Sequence, residues 1–264
     1  TIIITGATSG LGRSLSLTLG KYNANLLLIS KSKKKLLKLK KIIDNNISKI
    51  VIINADLSKK NSPKKIYNIS KKYFKDIDVI INNAGIGYNC FVTDIDKKIA
   101  NEVFQINFFN ILETNKLFLN SMIKKNKGTI VNISSLGGAR SIPTNSVYCA
   151  SKFALEAYTE SLRSELKTTN INVINVRPSV INNTNYFNGK FMNKNLGSTL
   201  EKKIKKISKM SPDIAAKKIL KSITKKSRDL NMSFLGKLII ILNSIIPSII
   251  DILIFQLRKN DIIS

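Results

Sequence analysis

A doubly wound α/β fold, a parallel sheet covered by helices on both faces, is predicted by three features of this 264-residue sequence. Short apolar runs alternate with helical stretches over the first two-thirds of the chain. Those runs lack the polar alternation of a half-exposed strand. A glycine-rich turn follows the first run directly and opens a helix. Uninterrupted apolar runs suit strands buried on both faces, and the segments between them are long enough for crossover helices.

The elements follow in order. Thr1–Thr5 and Leu26–Ser30 are the first two strands, and Ile50–Asn54, Val79–Asn82, Thr129–Ile133 and Ile171–Val176 continue the series. Between the second and third lies Lys31–Lys41 (KSKKKLLKLKK), in which Leu36, Leu37 and Leu39 read as the buried side of a helix with its lysines in solvent. Residues 182–209 are rich in Asn, Lys, Gly and Ser and predict a mobile substrate loop with weak helical content. Phe234–Leu257 is strongly apolar, but Lys237, Asn243, Pro247 and Asp251 interrupt it. Two short helices hinged at Pro247 fit it better than one membrane-spanning helix. The expected organisation is a single domain over 1–233 and an apolar helical extension over 234–264. The extension caps a substrate pocket, packs in an oligomer or lies shallowly on a membrane, aided by Lys237, Arg258 and Lys259. A chain that starts inside a strand at Thr1, without Met, is expected to have lost leading residues.

Composition narrows the function. Lys and Arg number 44 against 16 acidic residues, a formal charge of +28, which first suggests nucleic acid or an anionic membrane. The excess is nearly all Lys, dispersed beside abundant Asn and Ile, and all three have AT-rich codons. Selection for phosphate contacts would favour Arg and a localised patch, so no specific nucleic-acid binding is expected. Two cysteines, Cys90 and Cys149, and no histidine exclude His-based catalysis and argue against a dedicated metal site.

The turn Thr5-Gly6-Ala7-Thr8-Ser9-Gly10-Leu11-Gly12 has glycine where a chain must turn sharply, approach a pyrophosphate and pack a helix against a strand. The helix N-terminus behind it offers N–H groups to phosphate. At the end of the second strand, an acid would bind a ribose 2′-hydroxyl and repel a 2′-phosphate. Ser30 stands there instead, followed by Lys31, which can pair with a 2′-phosphate. NADP(H) is therefore expected over NAD(H). Asp56 and Leu57 after the third strand are placed to contact adenine, and Asn83, Ala84 and Gly85 after the fourth to approach the adenosine ribose. Either segment could equally be turn chemistry alone.

Tyr148-Cys149-Ala150-Ser151-Lys152 sets Tyr and Lys four apart, on one face of a helix. A phenol of pKa about 10 is a poor acid–base catalyst at neutral pH, and a neighbouring ammonium lowers that value. Ser135, thirteen residues before Tyr148 and just after a strand, can hydrogen-bond a substrate carbonyl. Asn107, in a helical segment, is a candidate to position a water beside Lys152.

Together these motifs resemble the short-chain dehydrogenase/reductase family, in its group with a TGxxxGxG turn, an NNAG segment and a YxxxK pair. The likeness spans about residues 1–185 and includes Leu162-Arg163-Ser164-Glu165-Leu166 and Arg177-Pro178. It implies a Rossmann-type fold, with Tyr148 as general acid/base and Lys152 binding the nicotinamide ribose and lowering the Tyr148 pKa. It implies that Ser135, rather than Ser134, orients the carbonyl and that Asn107 completes a proton relay. It further implies reversible carbonyl/alcohol redox by hydride transfer without a metal, in a homodimer or homotetramer often built through the helix carrying Tyr148. Two departures stand out. Ser179 follows Pro178 where the family usually has Gly, and the Thr that commonly contacts the carboxamide is matched only one position late, by Thr184. Pro178, Val180 and Ile181 remain candidates to contact the nicotinamide. Ser211-Pro212-Asp213-Ile214-Ala215 and the segment after it resemble the C-terminal extension of membrane-associated or lipid-handling members.

The leading expectation is an NADPH-dependent carbonyl reductase of an apolar substrate: a 3-oxoacyl chain, a 3-keto sphingoid base or a steroid. It is expected in the cytoplasm, with membrane association through 234–259 as an alternative. A non-catalytic nucleotide sensor on the same fold would not need the Tyr148, Lys152, Ser135 and Asn107 set. A peripheral protein held by charge alone would bind independently of NADPH and with steep salt dependence.

Overall fold

The computed structural model describes residues 1–43, 49–182, 191 and 210–262, with side chains omitted for 257–262. A seven-stranded sheet, parallel in every pairing, forms its centre. Its strands are β1 (Ile2–Thr5), β2 (Leu26–Ser30), β3 (Ile50–Asn54), β4 (Val79–Asn82), β5 (Gly128–Ile133), β6 (Ile171–Arg177) and β7 (Asp229–Asn231). They lie in the order β3-β2-β1-β4-β5-β6-β7. The chain reverses direction across the sheet between β1 and β4, so a crevice opens at the carboxyl ends of those two strands.

The uninterrupted apolar runs have the predicted cause. Along β1 and β2, Ile4, Leu26 and Leu28 face one core while Ile3, Leu27 and Ile29 face the other. The first core is closed by α1 (Gly10–Leu19), α2 (Lys33–Ile43) and α7 (Pro212–Thr224), through Leu11, Leu15, Leu36 and Ile219. The second is closed by α3 (Ser62–Tyr73), α5 (Asn110–Lys125) and α6 (Ser146–Glu165), through Ile66, Phe118 and Leu162. Each such side chain contributes roughly 1.5–3 kcal/mol by leaving water.

Two sequence expectations need correction. In α2 the buried stripe is Leu36, Leu39 and Ile43, and Leu37 is exposed. Adjacent helical residues are about 100° apart, and the stripe runs from Leu36 through Ile43 to Leu39 on the side away from Leu37, which is left facing solvent. The strand β7 was not anticipated, because its sequence Asp-Leu-Asn has no β-branched residue and its pattern is too short to read. It pairs with the end of β6, and Arg163 holds it through the Arg228 carbonyl and the Asp229 carboxylate.

Between α4 (Lys97–Phe104) and α5 the helix widens into a π turn over Gln105–Phe109, with the Asn110 N–H bonded to the Gln105 carbonyl. The expected loop 182–209 lies outside the described residues except for Asn182 and Phe191, and Thr184 lies outside them altogether. The apolar tail forms α8 (Phe234–Ile245) and α9 (Pro247–Ile262), which meet at Ile246. No described helix is long and apolar enough to cross a membrane. The tail lies against the loop that follows β5. A Cβ built on Gly236 would come within 2.7 Å of Leu136 Cδ2, and Asp251 pairs with Arg140.

Candidate functional site

The glycine turn runs from the end of β1 into α1. Gly6 has φ of 66°, closed to most L side chains, and a Cβ there would lie 3.0 Å from Asn83 Nδ2. Gly12 is needed for a different reason: a Cβ would stand 2.2 Å from the Gly6 carbonyl oxygen, so only hydrogen lets α1 pass the turn this closely. Ser9 caps α1 from an extended conformation, and its side chain makes no capping hydrogen bond. The first-turn N–H groups of α1 therefore point at the crevice with the positive end of the helix dipole behind them. This turn fits a nucleotide pyrophosphate by shape and by charge.

Asn83 is committed to the turn itself. Its side chain donates to the Thr5 carbonyl at 2.9 Å, while the Asn83 and Ala84 N–H groups each donate to Thr5 Oγ1 at 3.0 Å. Thus Thr5, Gly6 and Asn83 are one hydrogen-bonded unit spanning β1 and β4. Gly85 follows, and a Cβ there would meet Asn107 Oδ1 at 3.3 Å and Lys152 Nζ at 3.4 Å.

At the end of β2, Ser30 shares a 2.8 Å hydrogen bond with Thr8 of the glycine turn, and Lys31 beside it is exposed. Asp56 forms a local turn, accepting from the Ser58 N–H at 3.0 Å and from its hydroxyl at 2.9 Å. The Ser58 N–H is the chief cause of an Asp56 pKa below the usual carboxylate range, with Lys31 adding a smaller electrostatic contribution. Leu57 packs against the second core, and its carbonyl accepts from Asn110 Nδ2 at 3.0 Å.

Tyr148 and Lys152 sit one turn apart on α6, nearly buried at 9% and 3% exposure. Lys152 Nζ lies 6.0 Å from the Tyr148 ring centroid and donates to the Ile133 carbonyl at 2.8 Å. Burial pushes the Lys152 ammonium down to about 8, and Glu156 opposes that shift. Ser135 leaves the end of β5 in extended backbone, and its Oγ accepts from the Gly137 N–H at 3.0 Å. That bond leaves the hydroxyl hydrogen available to donate. A Cβ on Gly137 would lie 3.4 Å from Ser135 Oγ and 3.5 Å from Tyr148 Cε1, so this glycine is where the two side chains converge. Ser134 turns the other way: its Oγ is buried beneath Gly138, 2.6 Å from where a Cβ would stand.

Asn107 occupies the π turn and is fully buried. Its side chain accepts from the Ile86 N–H at 2.9 Å and donates to the Ile86 carbonyl and to Ser151 Oγ, both at 3.0 Å. A helix widened by one residue re-aims a side chain, a distortion common at functional sites. Pro178 accepts from the Leu136 N–H at 3.3 Å and so stands beside the Ser135 loop, while Ile181 packs on the first core.

Two groups near the site escaped the sequence reading. Asn82 donates to Asn115 and Asn132 at 2.9 and 2.8 Å, and Asn132 donates to Thr159 at 2.9 Å, tying β4, α5, β5 and α6 together. Glu156 on α6 is gripped by Arg177 and Asn175 of β6. Polar residues inside apolar strands were the available signal for the first group. The alternation Asn175-Val176-Arg177 was the signal for the second.

A family model described as short chain dehydrogenase matches residues 1–195. The chain is 31% identical to a Drosophila melanogaster protein named dehydrogenase/reductase SDR family protein 7-like, over 88% of this chain and 72% of that one. It is 28% identical to the ketoacyl reductase HetN of a Nostoc species, over 95% of this chain and 86% of that one. It spans 57% of the length of the Mus musculus dehydrogenase/reductase SDR family member 7B, to which it is 33% identical over 68% of its own residues. Among solved structures, a short chain dehydrogenase/reductase from Burkholderia phymatum in complex with NAD superposes with a TM-score of 0.84 at 19% identity, covering 94% of each chain. At that identity the likeness concerns the fold.

Proposed function

The chain belongs to the short-chain dehydrogenase family of oxidoreductases, and from that premise we propose that it interconverts a carbonyl and a secondary alcohol with NADP(H), working as a reductase of an apolar substrate. The observation that carries the proposal is the convergence of Ser135 and Tyr148 at Gly137, with buried Lys152 below them.

The chemistry follows from those positions. When bound, the dinucleotide supplies or accepts the hydride. Ser135 donates its hydroxyl hydrogen to the substrate oxygen and holds the carbonyl beside Tyr148. The Tyr148 phenol transfers its proton to that oxygen as negative charge develops there, and takes one from the alcohol in the reverse direction. Lys152 stabilises the resulting phenolate by its charge. Asn107 holds the loop at Ile86 and the hydroxyl of Ser151, and its Oδ1 and Lys152 Nζ both lie against Gly85, which supports a relay water between them.

Preference for NADP(H) rests on Ser30 and exposed Lys31 at the end of β2, where an acid would repel a 2′-phosphate. In this reading Asp56, Leu57, Asn83, Ala84 and Gly85 serve the adenosine side and Pro178, Val180 and Ile181 the nicotinamide side, while Thr184, also expected there, lies outside the described residues. The apolar substrate class is supported by α8 and α9, which sit on the loop next to Ser135 yet leave Phe234 83%, Ile245 68% and Ile252 57% exposed. Such a surface suits shallow contact with a membrane from which an apolar carbonyl is taken. The name of the Nostoc relative supports a 3-oxoacyl compound. Exposed Phe153 on α6 and exposed Phe109 in the π turn suit a dimer formed through that helix.

The deciding experiment follows NADPH and NADH oxidation by the purified protein against 3-oxoacyl compounds of graded chain length, 3-keto sphingoid bases and ketosteroids. Turnover with NADPH is expected, rising with apolar chain length. In Tyr148→Phe, turnover should fall at least about 10²-fold while NADPH binding persists. Undiminished turnover in that variant, or none in the wild type with any of these carbonyls, would overturn the proposal.

A further inference from the structure

Glu156 has no part in the reaction described above, yet it lies one helical turn beyond Lys152 on α6 and is buried. Arg177 Nε bonds its two oxygens at 3.1 and 3.0 Å, Arg177 Nη2 bonds Oε2 at 2.6 Å, and the Asn175 amide also donates to it. A fork of this kind needs an ionised carboxylate. Residues four apart share a helix face, so this fixed negative charge is presented to Lys152. Gly138 packs on both: a Cβ there would lie 3.1 Å from Glu156 Cγ and 3.0 Å from the Lys152 carbonyl oxygen.

Among the described residues, the remaining surroundings of Lys152 offer no countercharge. From β5 it meets the neutral Ile133 carbonyl, and from the β4 loop and the π turn it meets Gly85 and the neutral Asn107 amide. On α6 the titratable side chains within one turn of Lys152 are Tyr148, Cys149 and Glu156, and Tyr158, Glu160, Arg163 and Glu165 lie farther along the helix. On β6, Arg177 stands behind Glu156, and on β7 Asp229 lies 3.9 Å from Arg177 and is paired in turn with Arg163 and Arg228.

We propose that Glu156, clamped by Arg177, is a positioning residue that keeps buried Lys152 cationic beside Tyr148. The inference rests on the role assigned to Lys152, but its test does not require turnover. An unpaired ammonium this far from water would release its proton more readily, and among the described residues Glu156 opposes that effect on Lys152. The clamp matters because a loose or protonated Glu156 would supply no fixed charge.

The test follows the lysine Cε and Nζ resonances of isotopically labelled protein through a pH series. Exposed lysines titrate near about 10.4, so the Lys152 signal separates by its lower midpoint and is assigned by its loss in Lys152→Met. In Glu156→Gln the Lys152 midpoint should fall by about one pH unit. Where activity is found, the alkaline limb of kcat/KM should move down by the same amount, and Glu156→Asp should restore part of both shifts. If Glu156→Gln does not fold, the double variant Glu156→Met/Arg177→Met removes both charges with apolar packing and should shift the midpoint in the same direction. A Lys152 midpoint unchanged in a folded variant would overturn the inference and leave Glu156 as a brace between α6 and β6. A wild type without turnover but with the predicted midpoint shift would overturn the enzyme reading alone.

Discussion

Lys152 donates to the carbonyl oxygen of Ile133 at 2.8 Å, at 3% exposure and one residue short of the turn that delivers Ser134 and Ser135. Its ammonium is therefore placed by β5 as well as by its own helix. Burial lowers its pKa from 10.5 to about 8. The unfolded chain then holds the Lys152 proton more tightly than the folded one. Below about pH 8 the full penalty applies, and it disappears as pH rises toward 10.5. Lys152→Met should consequently be more stable than wild type at pH 7, by roughly 1–3 kcal/mol once the lost hydrogen bond is subtracted. That advantage should shrink above pH 8, while turnover is lost at every pH. Paired denaturant titrations at pH 7 and pH 10 measure the difference. A less stable variant at pH 7 would mean that the contacts of Lys152 outweigh its desolvation.

Gly12→Ala tests the turn. The added carbon would stand 2.2 Å from the Gly6 carbonyl, a backbone atom that cannot swing aside. Overpacking at such a point costs about 1–3 kcal/mol. Because α1 must tilt away to relieve it, NADPH affinity should fall at least about tenfold even where the variant folds. Fluorescence titration of NADPH beside a thermal melt separates the two effects.

The asparagine network is a second structural test. Asn82→Ala would remove the donor shared by Asn115 and Asn132, leaving two buried carbonyl oxygens without it. A loss of about 2–3 kcal/mol is expected. The Ser135 loop lies two residues beyond Asn132, so turnover should drop more than stability alone explains. Activity per folded molecule, measured well below the melting temperature, distinguishes the two.

The sheet was legible because strands buried on both faces leave uninterrupted apolar runs, and each of the six expected strands appears within a residue of its expected bounds. Local spacing was also enough to bring Tyr148 and Lys152 to one face of α6, whereas the choice of Ser135 over Ser134 came from the family resemblance. What escaped was non-local. The grip of Arg177 on Glu156 depends on β6 lying beside α6, and the π turn at Asn107 leaves no mark in a helical pattern. Leu37 was misplaced because three nearby leucines were read as one face when a helix accommodates only the 3–4 spacing.

The proposed preference for NADP(H) rests on a single charged side chain and is therefore testable by a single substitution. Lys31 is exposed at the end of β2, beside Ser30, and Asp56 across the crevice mouth shares its field. A charge-assisted bond to a 2′-phosphate contributes about 1.5–3 kcal/mol, so Lys31→Ala should raise the KM for NADPH roughly tenfold and leave that for NADH nearly unchanged. Ser30→Asp should go further, because a carboxylate there repels the 2′-phosphate and accepts the two hydroxyls of an unphosphorylated ribose. The combined variant is expected to use NADH in preference to NADPH. The ratio of kcat/KM for the two nucleotides is the measurement, taken at low salt because screening weakens an exposed pair. An unchanged ratio in both variants would show that the 2′-phosphate is held by other residues or is not the feature recognised.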